Sequence, residues 1–462
     1  MTHLIERTLY RLGERLQGRL SKPGDDRYDA ATAIWAKPAG HMPRAVVHCQ
    51  TAADVQSAVQ VARDADLPLA VRGGGHDWAG RALCEGLVID LSGMNAVTID
   101  PRNHIARISG GARAADVAAV TDPLGLAPVT GSVGSVGMAG LTLGGGYGPL
   151  IGRFGLALDN LVATEVVLAD GRIVVADADH EKELLWALRG GGGNFGVVTA
   201  MQQHVHELPS VHSGVFIYPF AEAKSVLKRW AALSPSMPEE LTAQVLIAAP
   251  DGAPIVMVVP TWCGSQEQGE ARLVPFTKLG TLLAGSAEAM SYGAALRTFD
   301  AHIVNGRCTF IATCWIPALD AASINVFVEA MRTAVSPGCA IATHEFKGAA
   351  SRVPADATAF GLRRDHVLVE IIAAQPDQQE KHNALRHQHW ARATLDAFKT
   401  LALPGGYPNL LGRDDTDRAA KSFGPNARRL AEAKQHYDPN NLFRSAIPLP
   451  EPVLTRPAFQ EK

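Results

Sequence analysis

The densest chemistry in the chain lies in one short run, Arg72-Gly73-Gly74-Gly75-His76-Asp77, directly after the apolar stretch 69–71. Three successive glycines let consecutive N–H groups turn toward one concavity, an anion nest. Arg72 adds a planar fork suited to phosphate. His76 ends the run with an imidazole, and a neutral imidazole nitrogen is a nucleophile as well as a base. Alone, the run could equally be a glycine turn with a structural histidine. A second segment weighs against that: Thr130-Gly131-Ser132-Val133-Gly134-Ser135-Val136-Gly137-Met138-Ala139-Gly140, followed by Gly144-Gly145-Gly146-Tyr147-Gly148. Two glycine-rich, nearly uncharged segments suit a long, flat, partly phosphorylated ligand lying along backbone, and a flavin dinucleotide has that shape.

Other motifs carry less. Gly191-x-Gly193-x-x-Gly196 matches the dinucleotide fingerprint, but a helix precedes it and a strand follows, the reverse of what places pyrophosphate at a helix N-terminus. No GxxxxGK[ST], GxSxG or HExxH is present, and His180-Glu181 and His344-Glu345 lack a second histidine. The six cysteines form no CxxC pair and read as buried thiols rather than disulfides or zinc ligands. His302, His366, His387 and His389 show no partner pattern.

Composition sets the frame. With 462 residues, 47% of them hydrophobic and 19% charged, the chain is globular and large enough for two lobes. A net charge of −3 excludes a strongly basic nucleic-acid binder. The first 28 residues read as an amphipathic segment without the apolar core of a secretory signal, and the cytoplasm fits best. Residues 123–152 carry no charge, but ten of them are glycine. At about 1 kcal/mol per interior glycine a membrane helix is heavily penalised, so buried loop and short strand are expected.

The elements that must position these runs follow from periodicity. A strand over 45–48, a helix capped by Thr51 and a strand over 69–71 form a βαβ unit leading into Arg72. Short strands over 87–91, 96–99 and 104–108 precede a helix over 114–121. Asp170-Gly171 joins 162–168 to 172–175 as a hairpin. A helix over 181–188 leads into the glycines at 190–193 and a strand over 197–201. Beyond Pro209 the glycine clusters stop. Strands (215–218, 245–248, 255–259) then alternate with helices (223–233, 321–334, 378–401).

The segments 71–80, 130–160, 189–199 and 437–444 (VRGGGHDWAG, TGSVGSVGMAGLTLGGGYGPLIGRFGLALDN, RGGGGNFGVVT and YDPNNLFR) together resemble the vanillyl-alcohol-oxidase/PCMH flavoproteins. The nearest branch is the berberine-bridge-enzyme-like oxidoreductases, with the nicotine oxidases. The resemblance implies an α+β fold: a discontinuous, two-lobed PCMH-type FAD-binding domain (29–208 with 405–450) and an inserted substrate domain (209–404) with an antiparallel sheet and helices. It implies that 72–77 hold the pyrophosphate, and that FAD is linked through its 8α-methyl to His76. Thr130, Gly131, Ser135, Val136, Gly137, Gly140, Gly144 and Tyr147 would line the cofactor. Val197 and Val198 would offer backbone to the adenine, and Tyr407 and Asn409 would sit by the isoalloxazine. Bicovalent members carry a cysteine where Val133 stands, so a single link is implied.

On the substrate side, 343–360 resembles the family segment that roofs the flavin. In a strand Thr343, Glu345 and Lys347 share one face. Glu345 and Tyr407 are then the expected proton-handling groups, Lys347 tunes Glu345, and His344 turns away into packing. The expected reaction is hydride transfer from an alcohol, cyclic amine or phenolic small molecule to flavin N5, with reoxidation by dioxygen. A dehydrogenase using another acceptor and a flavin-binding protein without turnover are the alternatives. No nucleic acid, membrane or metal is expected, and the chain would act as a monomer or homodimer.

Overall fold

The computed structural model describes residues 2–36, 42–375, 381–413 and 415–450. Three sheets organise them. The first runs Leu20–Ser21, Ala45–His48, Leu87–Asp90, Leu69–Arg72. The two strands of the expected βαβ unit are therefore not neighbours. Leu87–Asp90 lies between them, parallel to both, with Val46 and Ala70 each opposite Val88. The helix between them, Ala52–Asp64, starts as its sequence predicts. Thr51 Oγ1 accepts from Asp54 N–H at 3.1 Å, and the Asp54 carboxylate accepts from Thr51 N–H at 3.1 Å. The amphipathic N-terminal helix Thr2–Arg15 presses Leu9 and Leu12 into the core of this sheet beside Val55 and Val59.

The second sheet is antiparallel and is built around the long strand Gly196–Glu207. That strand pairs with Ile105–Ser109 on one side and Leu161–Leu168 on the other, and Leu126–Pro128 pairs with its end. The Asp170-Gly171 hairpin forms between Leu168 and Ile173. The glycine-rich stretch departs from expectation in one place. Met138–Gly144 is a helix, with Met138, Ala139 and Leu143 buried in the core. It holds two glycines, Gly140 and Gly144, and apolar burial outweighs their backbone penalty.

The third sheet has seven antiparallel strands in the order Ala284–Met290, Val211–Pro219, Ile255–Trp262, Leu241–Ala248, Cys339–Phe346, His366–Ala374, Thr309–Ile316. One face, carrying Val245, Val258, Ile341, Val369 and Ile371, is covered by the helices Ala223–Leu233, Ala321–Arg332 and Lys381–Ala397. The expected helix start at 378 falls outside the described residues. The other face turns toward the first two sheets. There Trp315, Phe346 and Leu368 pack with Tyr147, Ile151 and Leu156, and Tyr407 joins the same cluster.

After residue 405 the chain packs on the second sheet and its helices. Leu430, Ala433 and Ile447 share a core with Leu184, Leu188 and Phe195. Tyr437 Oη donates to Glu181 at 2.9 Å, and Asn194 Nδ2 donates to the Ile447 carbonyl at 2.9 Å. Asp438 of the YDPNN run is 1% exposed and accepts from Leu442 N–H and Phe443 N–H, each at 2.8 Å, and from Lys434 Nζ at 2.6 Å. Asp438→Ala removes the counter-charge of a mostly buried lysine, which keeps only carbonyl partners such as that of Asn194, and orphans two N–H groups. It should cost about 3 kcal/mol, seen as a lower urea midpoint and earlier proteolysis within 427–447. An unchanged midpoint would contradict this.

Candidate active site

The two glycine runs meet backbone to backbone. A Cβ on Gly74 would lie 2.5 Å from Gly137 Cα, and one on Gly137 would lie 2.5 Å from Gly74 N. Neither position admits a side chain without separating the loops. Beneath them Arg72, 7% exposed, donates from Nη1 to Asp90 at 2.9 Å. Asp90 also receives Ser92 N–H at 3.0 Å and Ser92 Oγ at 2.9 Å, and lies 3.1 Å from His48 Nδ1. Burial alone would raise the Asp90 carboxyl, but the bonds from His48, Arg72 and Ser92 outweigh it and hold it at about 2. One arm of the expected phosphate fork is thus committed below the loop. Asp77 is likewise spent on the turn, accepting from Ala79 N–H at 3.0 Å and Ala82 N–H at 2.7 Å.

His76 stands at the end of this loop, stacked on Trp35 with ring centroids 4.4 Å apart and planes 7° from parallel. Burial lowers its imidazole to about 4, against the opposing pull of Glu370 and Asp77, so it is neutral near pH 7. Among the described residues neither ring nitrogen has a hydrogen-bond partner.

Orphaned polar atoms mark where a ligand belongs. Arg72 Nε, Trp78 Nε1, Thr130 Oγ1, Ser135 Oγ and Thr142 Oγ1 are buried without a partner among the described residues, and all lie on or beside the two glycine segments. A buried unpaired polar atom costs about 1–3 kcal/mol, and these five, of eleven such atoms among the described residues, can offer hydrogen bonds to an occupant of this region. Gly140, on the exposed side of its helix, has open space before it. Gly131 packs against Leu141. Val197 and Val198 bury their side chains in two different cores, and a bulge follows at Thr199, where the chain passes Gly110.

Tyr407 and Asn409 reach this region from the far end of the chain. The Tyr407 hydroxyl accepts from Gly146 N–H at 2.8 Å and from Asn409 Nδ2 at 3.0 Å. Asn409 Nδ2 also donates to the Leu141 carbonyl at 3.0 Å. Close approach demands glycine here: a Cβ on Gly144 would lie 2.0 Å from Asn409 Oδ1, and one on Gly145 2.7 Å from the Tyr407 ring. Burial pushes the Tyr407 phenol up to about 12, so it is neutral, and its own proton has no acceptor among the described residues. Tyr147 lies deeper. Its ring meets Tyr407 edge-on at 4.7 Å, its hydroxyl lies 2.7 Å from His366 Nε2, and Trp315 Nε1 donates to it at 3.1 Å. His366, unassigned from sequence, is thus part of the aromatic junction between the sheets.

The roof reverses the expected parity. Thr343 and Glu345 point with Cys339 and Ile341 toward the helix-covered side. The strands Leu241–Ala248 and Cys339–Phe346 pair only over 246–248 and 340–342 and then splay. Thr343 and Glu345 fill the gap: Val245 N–H donates to Thr343 Oγ1 at 3.1 Å and Ala243 N–H to Glu345 Oε2 at 3.3 Å. Glu345 also accepts from Ser234 Oγ and lies 3.5 Å from Lys347 Nζ. Burial raises its carboxyl, with Lys347 and Ser234 opposing. Its carboxylate bridges the splayed strands, and Glu345 with His344 borders a small cavity lined by Gly148, Pro149 and Gln244.

His344, expected to be packing, faces the first lobe instead. It lies 3.0 Å from Glu370 Oε1 and 2.6 Å from Gln244 Nε2, and Gln244 donates to Ser132 Oγ of the glycine segment at 2.9 Å. Glu370 is felt by both His76 and Tyr407. Sequence reading passed it over although one signal was available, a lone carboxylate inside the apolar strand His366–Ala374.

Two glycine loops in backbone contact, with unpartnered polar atoms beside them and, among the described residues, an unbonded imidazole at the end of one, suit an extended, partly phosphorylated cofactor. Comparison with known proteins agrees. Residues 43–177 match an FAD binding domain, and residues 398–450 match the berberine and berberine-like domain. The FAD-linked oxidoreductase YvdP of Bacillus subtilis is 30% identical over 94% of this chain and 98% of its own. The (R)-6-hydroxynicotine oxidase of Paenarthrobacter nicotinovorans is 30% identical over 93% and 96%. In fold, the chain is similar to 6-hydroxy-D-nicotine oxidase of Arthrobacter nicotinovorans (TM-score 0.83, 28% identity, 93% and 97% covered) and to Physcomitrella patens BBE-like 1 (TM-score 0.86, 23% identity, 96% and 99% covered). The chain belongs to the berberine-bridge-enzyme-like FAD-linked oxidoreductases. No helix among the described residues is long and apolar enough to cross a membrane.

Two outcomes follow for the cradle. Gly137→Ala must push Gly74 away and should cut FAD content severalfold in purified protein at unchanged solubility; full FAD content would contradict the contact. A carboxyl lowered from 3.8 to about 2 stabilises the folded state above pH 4 and loses that contribution as pH falls toward 2. The difference is worth about 2 kcal/mol. Asp90→Asn should remove that part of the acid dependence of unfolding between pH 4 and 2, and an identical acid profile would contradict it.

Proposed function

We propose that this protein is an FAD oxidase for an alcohol, cyclic amine or phenolic small molecule, with FAD held singly on His76. Residues 29–208 with 405–450 form the cofactor domain and 209–404 the substrate domain, with the cleft between them as the site. The observation that carries the reading is the His76 imidazole and the Tyr407 hydroxyl proton, both without partners among the described residues and both acted on by the charge of Glu370.

The orphaned atoms fit the cofactor. Arg72 Nε, Thr130, Ser135 and Thr142 supply donors along the glycine runs, with the backbone of 73–76, 131 and 135–137 beside them. Gly140 opens onto space for a flat ring, Gly144 lets Asn409 close in beside Tyr407, and Val197 and Val198 border the adenine end. Val133 in place of a cysteine leaves His76 as the one attachment point. Bound FAD supplies the two-electron chemistry, taking hydride from a substrate carbon and passing the electrons to dioxygen.

The chain's own groups handle the proton. Tyr407 keeps its O–H pointed at a heteroatom because Gly146 and Asn409 already fill its acceptor side. Those same two donors stabilise the phenolate whenever the proton leaves. Glu370, fixed by His344 at 3.0 Å, is the carboxylate able to take a proton from substrate O–H or N–H.

Glu370→Gln should slow anaerobic flavin reduction by about 10²–10⁴-fold and leave reoxidation by air nearly unchanged. Glu345→Gln should instead lower stability and spare the reduction rate. The opposite pattern, Glu345→Gln slow and Glu370→Gln normal, would return the proton to Glu345. Acid precipitation should leave flavin in the wild-type pellet and release all of it from His76→Ala. Flavin that washes free of the wild type would sink the covalent link, and slow reoxidation by air would replace oxidase with dehydrogenase.

A further inference from the structure

The segment Ile34-Trp35-Ala36 is pinned on both sides of the indole. Ile34 and Ala36 are each 1% exposed. Trp35 N–H donates to the Gly75 carbonyl at 2.9 Å and Ala36 N–H to the Asp77 carbonyl at 3.1 Å, so the segment runs along the loop that carries His76. On its other side Gly306 N–H donates to the Trp35 carbonyl at 2.9 Å, and Ala36 bridges to Arg307 of the third-sheet lobe. The indole therefore sits between two lobes on fixed backbone, and among the described residues its one ring partner is the His76 imidazole, stacked 7° from parallel at 4.4 Å. A stacked imidazole keeps both nitrogens at its edge, and neither is hydrogen-bonded among the described residues.

We propose that Trp35 is a positioning residue for flavin attachment: it clamps the His76 ring in the one orientation that presents a nitrogen to the cofactor methyl group. The inference rests on the His76 link proposed above. In that reaction a bond forms between an imidazole nitrogen and the methyl carbon. One methyl C–H and the imidazole N–H are lost, and the two hydrogens' worth of electrons and protons pass through the ring system to dioxygen, giving hydrogen peroxide. Nothing in the balance needs Trp35 as a reactant. Its contribution is orientation, and misplacing a reacting group by about 1 Å can cost about 100-fold. The indole covers one face of the ring that burial keeps neutral, and the charges of Glu370 and Asp77 oppose that effect.

The test follows covalent incorporation in full-length protein. Flavin-free protein from riboflavin-starved cells is mixed with FAD, and acid-insoluble flavin is read against time beside total bound flavin. Trp35→Leu should bind FAD to the wild-type level yet form the bond at least about tenfold more slowly. Its rate should fall further from pH 8 to pH 5.5, because the unshielded imidazole rises toward its ordinary 6.5, whereas the wild-type rate stays flat over that range. Trp35→Phe, which keeps a stacking ring, should attach within about threefold of wild type. Trp35→Leu attaching at the wild-type rate and pH profile would overturn the proposal and leave the His76 link standing. Wild type that never attaches would overturn both. If Trp35→Leu does not fold, Trp35→Met takes its place beside Trp35→Phe: the clamp is overturned if Trp35→Met attaches flavin as fast as Trp35→Phe.

Discussion

The structure depends on one contact that side chains would forbid, the apposition of Gly74 and Gly137 at the distance of touching backbones. Because neither residue has a Cβ, the loop that ends the first sheet can lie directly on the loop that enters the helix Met138–Gly144. The ion pair of Arg72 with Asp90 fixes the first loop from below. The carbonyl of Val198, in the second sheet, reaches the glycine that follows Ile105–Ser109. Each sheet thus contributes one wall of the cradle, and the polar atoms on those walls remain unpaired until a ligand supplies partners.

The second constraint is the aromatic junction around Tyr147. It lies where the glycine segment, the third sheet and the C-terminal tail meet, and its hydroxyl is satisfied by Trp315 and His366. Apolar rings on all sides lock the lobes, while the polar edge of the same cluster, Tyr407 with Asn409, stays at the cleft. Burial here does two things. It stabilises the interface, and it sets the protonation states of His76 and Tyr407 so that one is a free base and the other a free acid near neutral pH.

What could be read in the sequence was local. Glycine runs specify close approach wherever they fall, so the meeting of the two glycine loops was legible. The Thr51 cap, the Asp170-Gly171 hairpin and the alternation of the third-sheet strands were legible for the same reason. What failed was non-local. The βαβ unit predicted adjacent strands, but a strand 18 residues after Leu69, starting at Leu87, inserts between them. Alternation in 339–346 was visible, yet which parity faces the cleft is set by the helices that cover the other face. The splay beyond Ala342 then turned Glu345 into a ladder plug. Glu370 was missed because the strand His366–Ala374 itself was not predicted: its apolar run, largely buried on both faces, lacks the period-2 alternation that marks a strand.

Hydrogen exchange read peptide by peptide, in flavin-free and flavin-loaded protein, tests the central claim most directly. Loading with FAD should protect amides in 73–77, 131–137 and 407–409 together, since the three segments form one cradle, and leave 343–347 unchanged. Protection confined to one of the three segments, or strong protection around Glu345 with none at the glycine runs, would contradict the account.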